Sequence, residues 1–168
     1  MNSIYITIWF FVCFVLQVLI FNHLAIAGGI VLFYVYLLVK MPVEINRPLQ
    51  IAICFLLGLL IDIFSNTPGM NALACTTIAW VRLPILHAYV VADDFKSGSP
   101  NRRAIGQSLF NRYCISIILC HAFLLYLIEA FTCFNILQML IKIVISTVLT
   151  SIIFIGLEEF MSRRKKEK

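Results

Sequence analysis

The sequence predicts an all-α membrane protein with six transmembrane helices packed in one bundle. Of its 168 residues, 62% are hydrophobic and 12% are charged, and the mean hydropathy is +0.99. A soluble domain of this size would expose far more polar surface. The apolar runs are close to the length that crosses a bilayer as a helix, and they lack the alternation of membrane barrel strands. We therefore expect residues 1–160 to form one helical bundle and residues 161–168 to form a basic cytoplasmic tail.

Short polar gaps divide the chain into six apolar runs. These runs predict helices over about residues 4–21, 26–39, 49–64, 70–89, 110–131 and 136–158. The second run is short, so it either spans the bilayer or re-enters it from one side. Ala25-Ile26-Ala27 resembles a signal-peptide cleavage site. We expect no cleavage there, because the basic region that precedes such a site is missing and the apolar run is long.

Lysine and arginine lie in alternate gaps, as the positive-inside rule requires of a multi-pass protein. The gaps around Asn22, Ser65 and Cys133 contain neither residue. The gaps after the second and fourth helices contain Lys40, Arg47, Lys96, Arg102, Arg103 and Arg112. We therefore expect a cytoplasmic C-terminus. We expect the N-terminus on the same side, and the alternative is an external N-terminus with a re-entrant second segment.

The last residues of the chain are strongly basic. Arg163, Arg164, Lys165 and Lys166 are consecutive, within a chain of net charge +5. Such a cluster beside a membrane helix is typical of contact with anionic lipid on the cytoplasmic face. We expect no binding of nucleic acid, which would need a folded basic surface.

A carboxylate lies near the end of the third predicted helix, in the stretch GLLIDIFSNTPGMNALA. Gly58 precedes Asp62 by one turn, so it allows another helix to approach this face closely. An ionised group inside a bilayer costs about 2.5–3.5 kcal/mol on insertion scales. Asp62 could lie at the outer interface in partial contact with water, or cap the next helix, whose dipole favours an anion. A ligand or proton role is the other alternative.

A tight turn and a face of small residues follow. Pro68 ends the preceding helix and Gly69 permits a positive φ. Asn71 is predicted as the N-cap of the fourth helix. Ala72 begins the small face, which leads to Arg82. Arg82 either reaches the cytoplasmic interface with its long side chain or has a partner inside the bundle.

Further polar residues interrupt the last two predicted helices. His121 and Glu129 are eight residues apart and share a face of the fifth helix. Lys142, Ser146 and Thr150 repeat every four residues and form a polar stripe on the sixth helix. Glu129 and Lys142 both lie near the outer end of this helical hairpin, so we expect a structural ion pair between them. A proton relay would use the same residue types.

Catalytic motifs are missing from the sequence. There is no phosphate-binding loop, no H-E-x-x-H zinc motif and no nucleophile with a plausible histidine and acid. The three histidines lie in three different segments, and the six cysteines show no C-x-x-C spacing. We therefore expect no enzyme activity, and no metal, cofactor or disulfide.

Two stretches of the sequence resemble a known family. FLLGLLIDIFSNTPGMNALACTTIAW resembles the signature of MreD, the rod-shape-determining membrane protein. The matching positions are Gly58, Leu59, Asp62, Pro68, Gly69, Asn71 and Ala72. CHAFLLYLIEAF, with His121 and Glu129, resembles the fifth helix of one bacterial branch of the family, and Lys142 stands where an arginine is expected there. The resemblance covers most of residues 50–165.

The resemblance implies a non-enzymatic scaffold of the bacterial inner membrane that helps to organise peptidoglycan synthesis during cell elongation. Its implied partners are an MreC-like bitopic protein, MreB, the RodA polymerase and a penicillin-binding transpeptidase. The implied fold is similar to the S component of energy-coupling-factor transporters, so a vitamin-binding transport subunit is the alternative function. The candidates for helix packing or partner docking are Gly58, Asp62, Pro68, Gly69, Asn71, Ala72 and Arg82.

Overall fold

The computed structural model describes residues 3–26, 28–90, 98–130 and 135–164, and this part of the chain is mostly helical. Its elements are α1 (Ser3–Leu19), a 3₁₀ turn (Phe21–His23), β1 (Ala25–Ile26), β2 (Gly29–Ile30), α2 (Val35–Lys40), α3 (Arg47–Ser65), α4 (Met70–His87), α5 (Arg102–Ile105), α6 (Gln107–Ala130) and α7 (Ile136–Arg164). The side chains of Arg163 and Arg164 are outside this description. Some residues lie entirely outside the description, among them Lys96, Phe131, Cys133, Lys165 and Lys166.

Within the described residues, four helices are long and apolar enough to cross a membrane: α1 with the turn after it, α3, α6 and α7. α4 packs along α3 and also contacts α6, which in turn packs along α7. These helices agree with the predicted runs to within a few residues at most ends. α7 is the exception, because it continues to Arg164 and so contains the first part of the predicted tail.

The prediction of a helix over residues 26–39 is wrong for its first half. β1 and β2 pair as a short antiparallel hairpin, and helix α2 begins only at Val35. Gly28 has a φ of +81°, a left-handed conformation that glycine adopts without strain. A Cβ on Gly29 would lie 2.8 Å from the Ile145 side chain. The two glycines therefore let the chain turn sharply and lie directly against α7.

Residues 28–40, called the central segment below, run through the middle of the structure. All side chains of residues 31–39 are buried. The glycine turn at one end lies against Lys142, and Lys40 at the other end lies 2.7 Å from Glu158. Lys142 and Glu158 both belong to α7, and they are about 24 Å apart at a rise of about 1.5 Å per residue. α1, α4, α6 and α7 pack against this partly extended segment.

α3 and α4 approach each other closely at Gly58. A Cβ there would lie 2.6 Å from both the Cα of Ala72 and the carbonyl oxygen of Asn71. The connection is tight: Asn66 ends α3 with a φ of 54°, and Gly69 precedes α4 with a φ of 79°. The close approach predicted at Gly58 is confirmed.

We predict that Gly58→Ala destabilises the protein, because the new methyl group would meet backbone that cannot rotate away. Overpacking of this kind costs about 1–3 kcal/mol. Gly156→Ala is the matched control, since nothing lies within 4 Å of a Cβ at that position of α7. Thermal unfolding of the purified protein in a mild detergent measures both. Equal midpoints for the two variants would contradict the close approach.

Candidate functional site

The carboxylate of Asp62 is buried and binds the beginning of α4. Its side chain accepts the backbone N–H of Asn71 at 2.9 Å and that of Ala72 at 2.8 Å, one on each oxygen. The hydroxyl of Thr67 also donates to Oδ1, at 2.8 Å. The first N–H groups of a helix have no partner within it, and the helix dipole favours an anion there. The capping alternative for Asp62 is thus confirmed. The partly solvated alternative is wrong, because the contact at Gly58 brings α4 directly over the carboxylate.

The prediction of Asn71 as the N-cap is wrong. Gly69 occupies the N-cap position, after Pro68 in the turn, and Asn71 lies in the first turn of α4. Its amide nitrogen donates to Asp62 Oδ1 at 2.8 Å and to the hydroxyl of Thr67 at 3.0 Å. Asn71 therefore extends the polar contact of Asp62 towards the interior of the bundle.

A chain of hydrogen bonds continues from Asn71 to α6. The hydroxyl of Tyr34, in the central segment, donates to Asn71 Oδ1 at 2.6 Å. The same hydroxyl lies 2.7 Å from His121 Nε2. The Tyr34 hydroxyl has one proton and donates it to Asn71, so it must accept a hydrogen bond from His121. The Nε2 atom of His121 therefore carries a proton. His121, Tyr34, Asn71 and Asp62 are all buried, and they connect α6, the central segment, α4 and α3.

The polar stripe on α7 contacts the backbone of the central segment. The N–H of Ile30 donates to Ser146 Oγ at 3.0 Å, and the N–H of Leu32 donates to Thr150 Oγ1 at 3.0 Å. The hydroxyl of Tyr126 lies 2.7 Å from Ser146 Oγ. Non-helical backbone at membrane depth needs partners of this kind, because lipid supplies none. The stripe therefore holds the extended part of the central segment.

Gln17 performs the same task from α1. Its Oε1 accepts the N–H of Phe33 at 2.7 Å, and its Nε2 donates to the carbonyl of Val31 at 2.9 Å. From the sequence, Gln17 is a weaker candidate among the costly polar residues, and Tyr34 is not a candidate. For Gln17 the signal was its carboxamide within an apolar run. Tyr34 gives no such signal, since tyrosine is common in apolar segments.

Arg82 is fully buried and binds the end of α2. Its guanidinium donates to the carbonyls of Leu38 at 2.6 Å, Met41 at 2.8 Å and Pro42 at 3.1 Å. The last carbonyls of a helix have no partner within it, and the fork of an arginine can reach several of them. The alternative that Arg82 extends to the interface is therefore wrong, and its partner is the backbone inside the bundle.

The structure contains the predicted contact between Glu129 and Lys142. The ammonium of Lys142 lies 2.5 Å from Glu129 Oε1, and the side chains are 27% and 38% exposed, respectively. The ammonium also lies 5.7 Å from the centre of the Tyr126 ring. A second ion pair, between Lys40 and Glu158, closes the other end of the central segment. Sequence reasoning did not include this second pair.

A cavity of about 440 Å³ lies beside the Glu129–Lys142 pair. Its wall combines that pair and Asn71 with apolar side chains such as Ile61 and Met70. These residues come from the last turns of α3 and α6 and the first turns of α4 and α7. Asp62 is not among the lining residues, since its carboxylate is turned to the backbone of α4. The buried network and the cavity wall meet at Asn71 and Tyr34, which belong to both.

Within the described ranges, no three histidine, cysteine, aspartate or glutamate side chains are grouped so that they could hold a metal ion. Comparisons with protein-family models, with curated proteins and with solved structures find no match for this chain. The likeness to MreD therefore remains a prediction that rests on the quoted residues.

We predict that Asp62→Asn lowers stability by about 1–3 kcal/mol, the usual cost of an unsatisfied buried polar group. An amide at this position would direct N–H groups at the N–H of Asn71 or of Ala72. Glu44→Gln is the control, because Glu44 is exposed and accepts one N–H, from Gly98 at 3.2 Å. The midpoint of thermal unfolding in detergent reports the difference. A variant at Asp62 as stable as the one at Glu44 would argue against the capping role.

A charge-reversal cycle tests the pair on α6 and α7. We expect Glu129→Lys and Lys142→Glu each to lower the unfolding midpoint by placing like charges together. The double variant should recover most of the loss. Because both side chains are partly exposed, the coupling should be only about 0.2–1 kcal/mol. A double variant no better than the worse single variant would exclude the pairing.

Proposed function

We propose that this chain is a non-enzymatic scaffold of the MreD type in the bacterial inner membrane. In this proposal the bundle binds the membrane helix of an MreC-like bitopic protein. Through that partner it works with MreB, RodA and a penicillin-binding transpeptidase to organise peptidoglycan synthesis in the elongating cell.

One observation carries the proposal: several residues of the first stretch of the resemblance meet at a single helix joint. Gly58 provides the close contact, Asp62 binds the first turn of α4, and Asn71 links that joint to the central segment. His121, from the second stretch of the resemblance, ends the same chain of hydrogen bonds. The roles of these residues are to fix the relative position of helices. A scaffold needs this property, because a partner helix must meet an unchanging surface.

The outer faces of the helices suit a partner within the membrane. Ile4, Phe11 and Leu19 of α1 are 70%, 57% and 66% exposed, and Ile63 of α3 is 66% exposed. Association of helices in lipid depends on packing rather than on the hydrophobic effect. A partner helix could therefore replace lipid on such a face without breaking any of the internal polar contacts.

The distribution of charge supports six crossings with the C-terminus in the cytoplasm. Arg47, Arg103 and Arg112 are exposed near the end where Lys40 pairs with Glu158. We assign this end to the cytoplasm by the positive-inside rule. The central segment connects the two ends of α7, so we count it as the second crossing and place the N-terminus in the cytoplasm. The basic residues after α7 would then contact anionic lipid.

The experiment is extraction of the tagged chain from its native membranes in a mild detergent, followed by mass spectrometry of the proteins that come with it. We expect a bitopic coiled-coil protein of the MreC type together with cell-wall synthases. Gly58→Ala should recover several-fold less of this partner than Gly156→Ala at equal amounts of chain. Recovery of neither a bitopic partner nor a synthase would overturn the scaffold.

The cavity favours a second candidate, a substrate-binding subunit of a vitamin transporter. Such a subunit needs a polar pocket at the outer end, and the cavity lies at the end that we predict to be external. The same purification separates the two functions. A membrane coupling protein with paired ATPases would support the transport subunit and contradict the scaffold.

A further inference from the structure

We infer that the cavity beside the Glu129–Lys142 pair is a binding site for a small zwitterion that carries an ammonium and a phosphate, as in a phosphoethanolamine group. The inference rests on the lining of the cavity and does not require the scaffold function. Purification with partners tests that function, whereas direct titration tests the site, so either can fail alone.

The size of the cavity suits a small molecule. Its volume of about 440 Å³ falls within the range of about 300–1,000 Å³ that is usual for ligand pockets. At about 30 Å³ for each water molecule, it could hold about 15 waters. A headgroup with its glycerol fits this volume, whereas a folded partner or a large cofactor does not.

The charges of the wall select the class of ligand. Lys142 provides a cation and Glu129 an anion, and both are reachable because their side chains are 27% and 38% exposed. Their formal charges cancel, so a ligand with a net charge would bring an unbalanced charge into a partly dehydrated site. A zwitterion brings none, and it can place its phosphate beside Lys142 and its ammonium beside Glu129.

The rest of the wall suits the remainder of such a molecule. Asn22 and Ser65 line the cavity and are hydrogen-bonded to each other at 2.7 Å, so they offer a polar rim that is already ordered. Ile61, Met70 and Leu125 form an apolar side. Alternating polar and apolar walls of this kind are typical of sites for small amphipathic ligands.

The test is isothermal titration of the full-length protein in a non-ionic detergent. The probes are glycerophosphoethanolamine, glycerol 3-phosphate and ethanolamine. We expect the zwitterion to bind at least about tenfold more tightly than either half, which corresponds to about 1.4 kcal/mol. The proposal would be overturned if glycerol 3-phosphate or ethanolamine bound as tightly as glycerophosphoethanolamine, or if glycerophosphoethanolamine did not bind.

Two substitutions locate the site. Met70→Trp should fill the cavity and weaken binding at least about tenfold, while the polar contacts of the bundle remain. Leu73→Trp is the matched control, because Leu73 is 56% exposed one turn along α4 and does not line the cavity. Equal binding by the two variants would place the ligand elsewhere and contradict the assignment.

A double neutral variant, Glu129→Gln with Lys142→Gln, tests the role of charge without leaving an unpaired ion. It should fold, because both side chains are partly exposed and the two amides can hydrogen-bond to each other or to water. We expect it to lose the preference for the zwitterion over its halves, and a retained preference would refute the charge argument.

The same chemistry could come from a lipid headgroup or from a free metabolite, and short-chain phosphatidylethanolamine distinguishes the two. Tighter binding of this lipid than of glycerophosphoethanolamine would identify a lipid as the source. Equal or weaker binding would identify a soluble molecule.

Discussion

Backbone hydrogen bonding within an apolar surrounding is the constraint on which this structure depends. A helix satisfies its own backbone, whereas lipid offers no partner to an N–H or a carbonyl that leaves the helical pattern. In the described part of the chain, the buried places where the backbone leaves that pattern include the extended part of the central segment, the end of α2 and the beginning of α4. Polar side chains are directed to each of them: Gln17, Ser146 and Thr150 to the first, Arg82 to the second and Asp62 to the third.

This constraint explains why such costly residues are retained in an apolar chain. Asp62 stabilises two N–H groups that would otherwise lie unpaired at the joint with α3. Arg82 does the same for three carbonyls. Removal of one such side chain would leave several buried groups without partners, and each is expensive in a medium of low polarity. The buried polar residues therefore complete the hydrogen bonds of backbone groups that lie outside the regular helical pattern.

The two ends of the bundle differ in chemistry. At the end with Lys40, the buried Glu158 accepts from both Lys40 and Tyr36, and Arg102 lies 2.7 Å from Glu159, whose side chain is 46% exposed. At the other end Glu129 and Lys142 pair on the wall of an open cavity and remain partly exposed. The contrast is the reason to look for a ligand at one end and for lipid or protein contacts at the other.

The sequence by itself determined the mostly helical fold with its long apolar helices, five of the helices in the described residues, the close approach at Gly58 and the pairing of Glu129 with Lys142. These follow from composition, hydrophobic run length and spacing along one helix or one hairpin, which are local properties. The conformation of the central segment was decided only by the tertiary structure. Its apolar residues fit a helix equally well, and the side chains that hold it extended come from α1, α6 and α7. The partners of Arg82 and the link from Asn71 through Tyr34 to His121 join segments far apart in the chain, so no local pattern could reveal them. The cavity also depends on the tertiary structure, because its walls come from the ends of several helices.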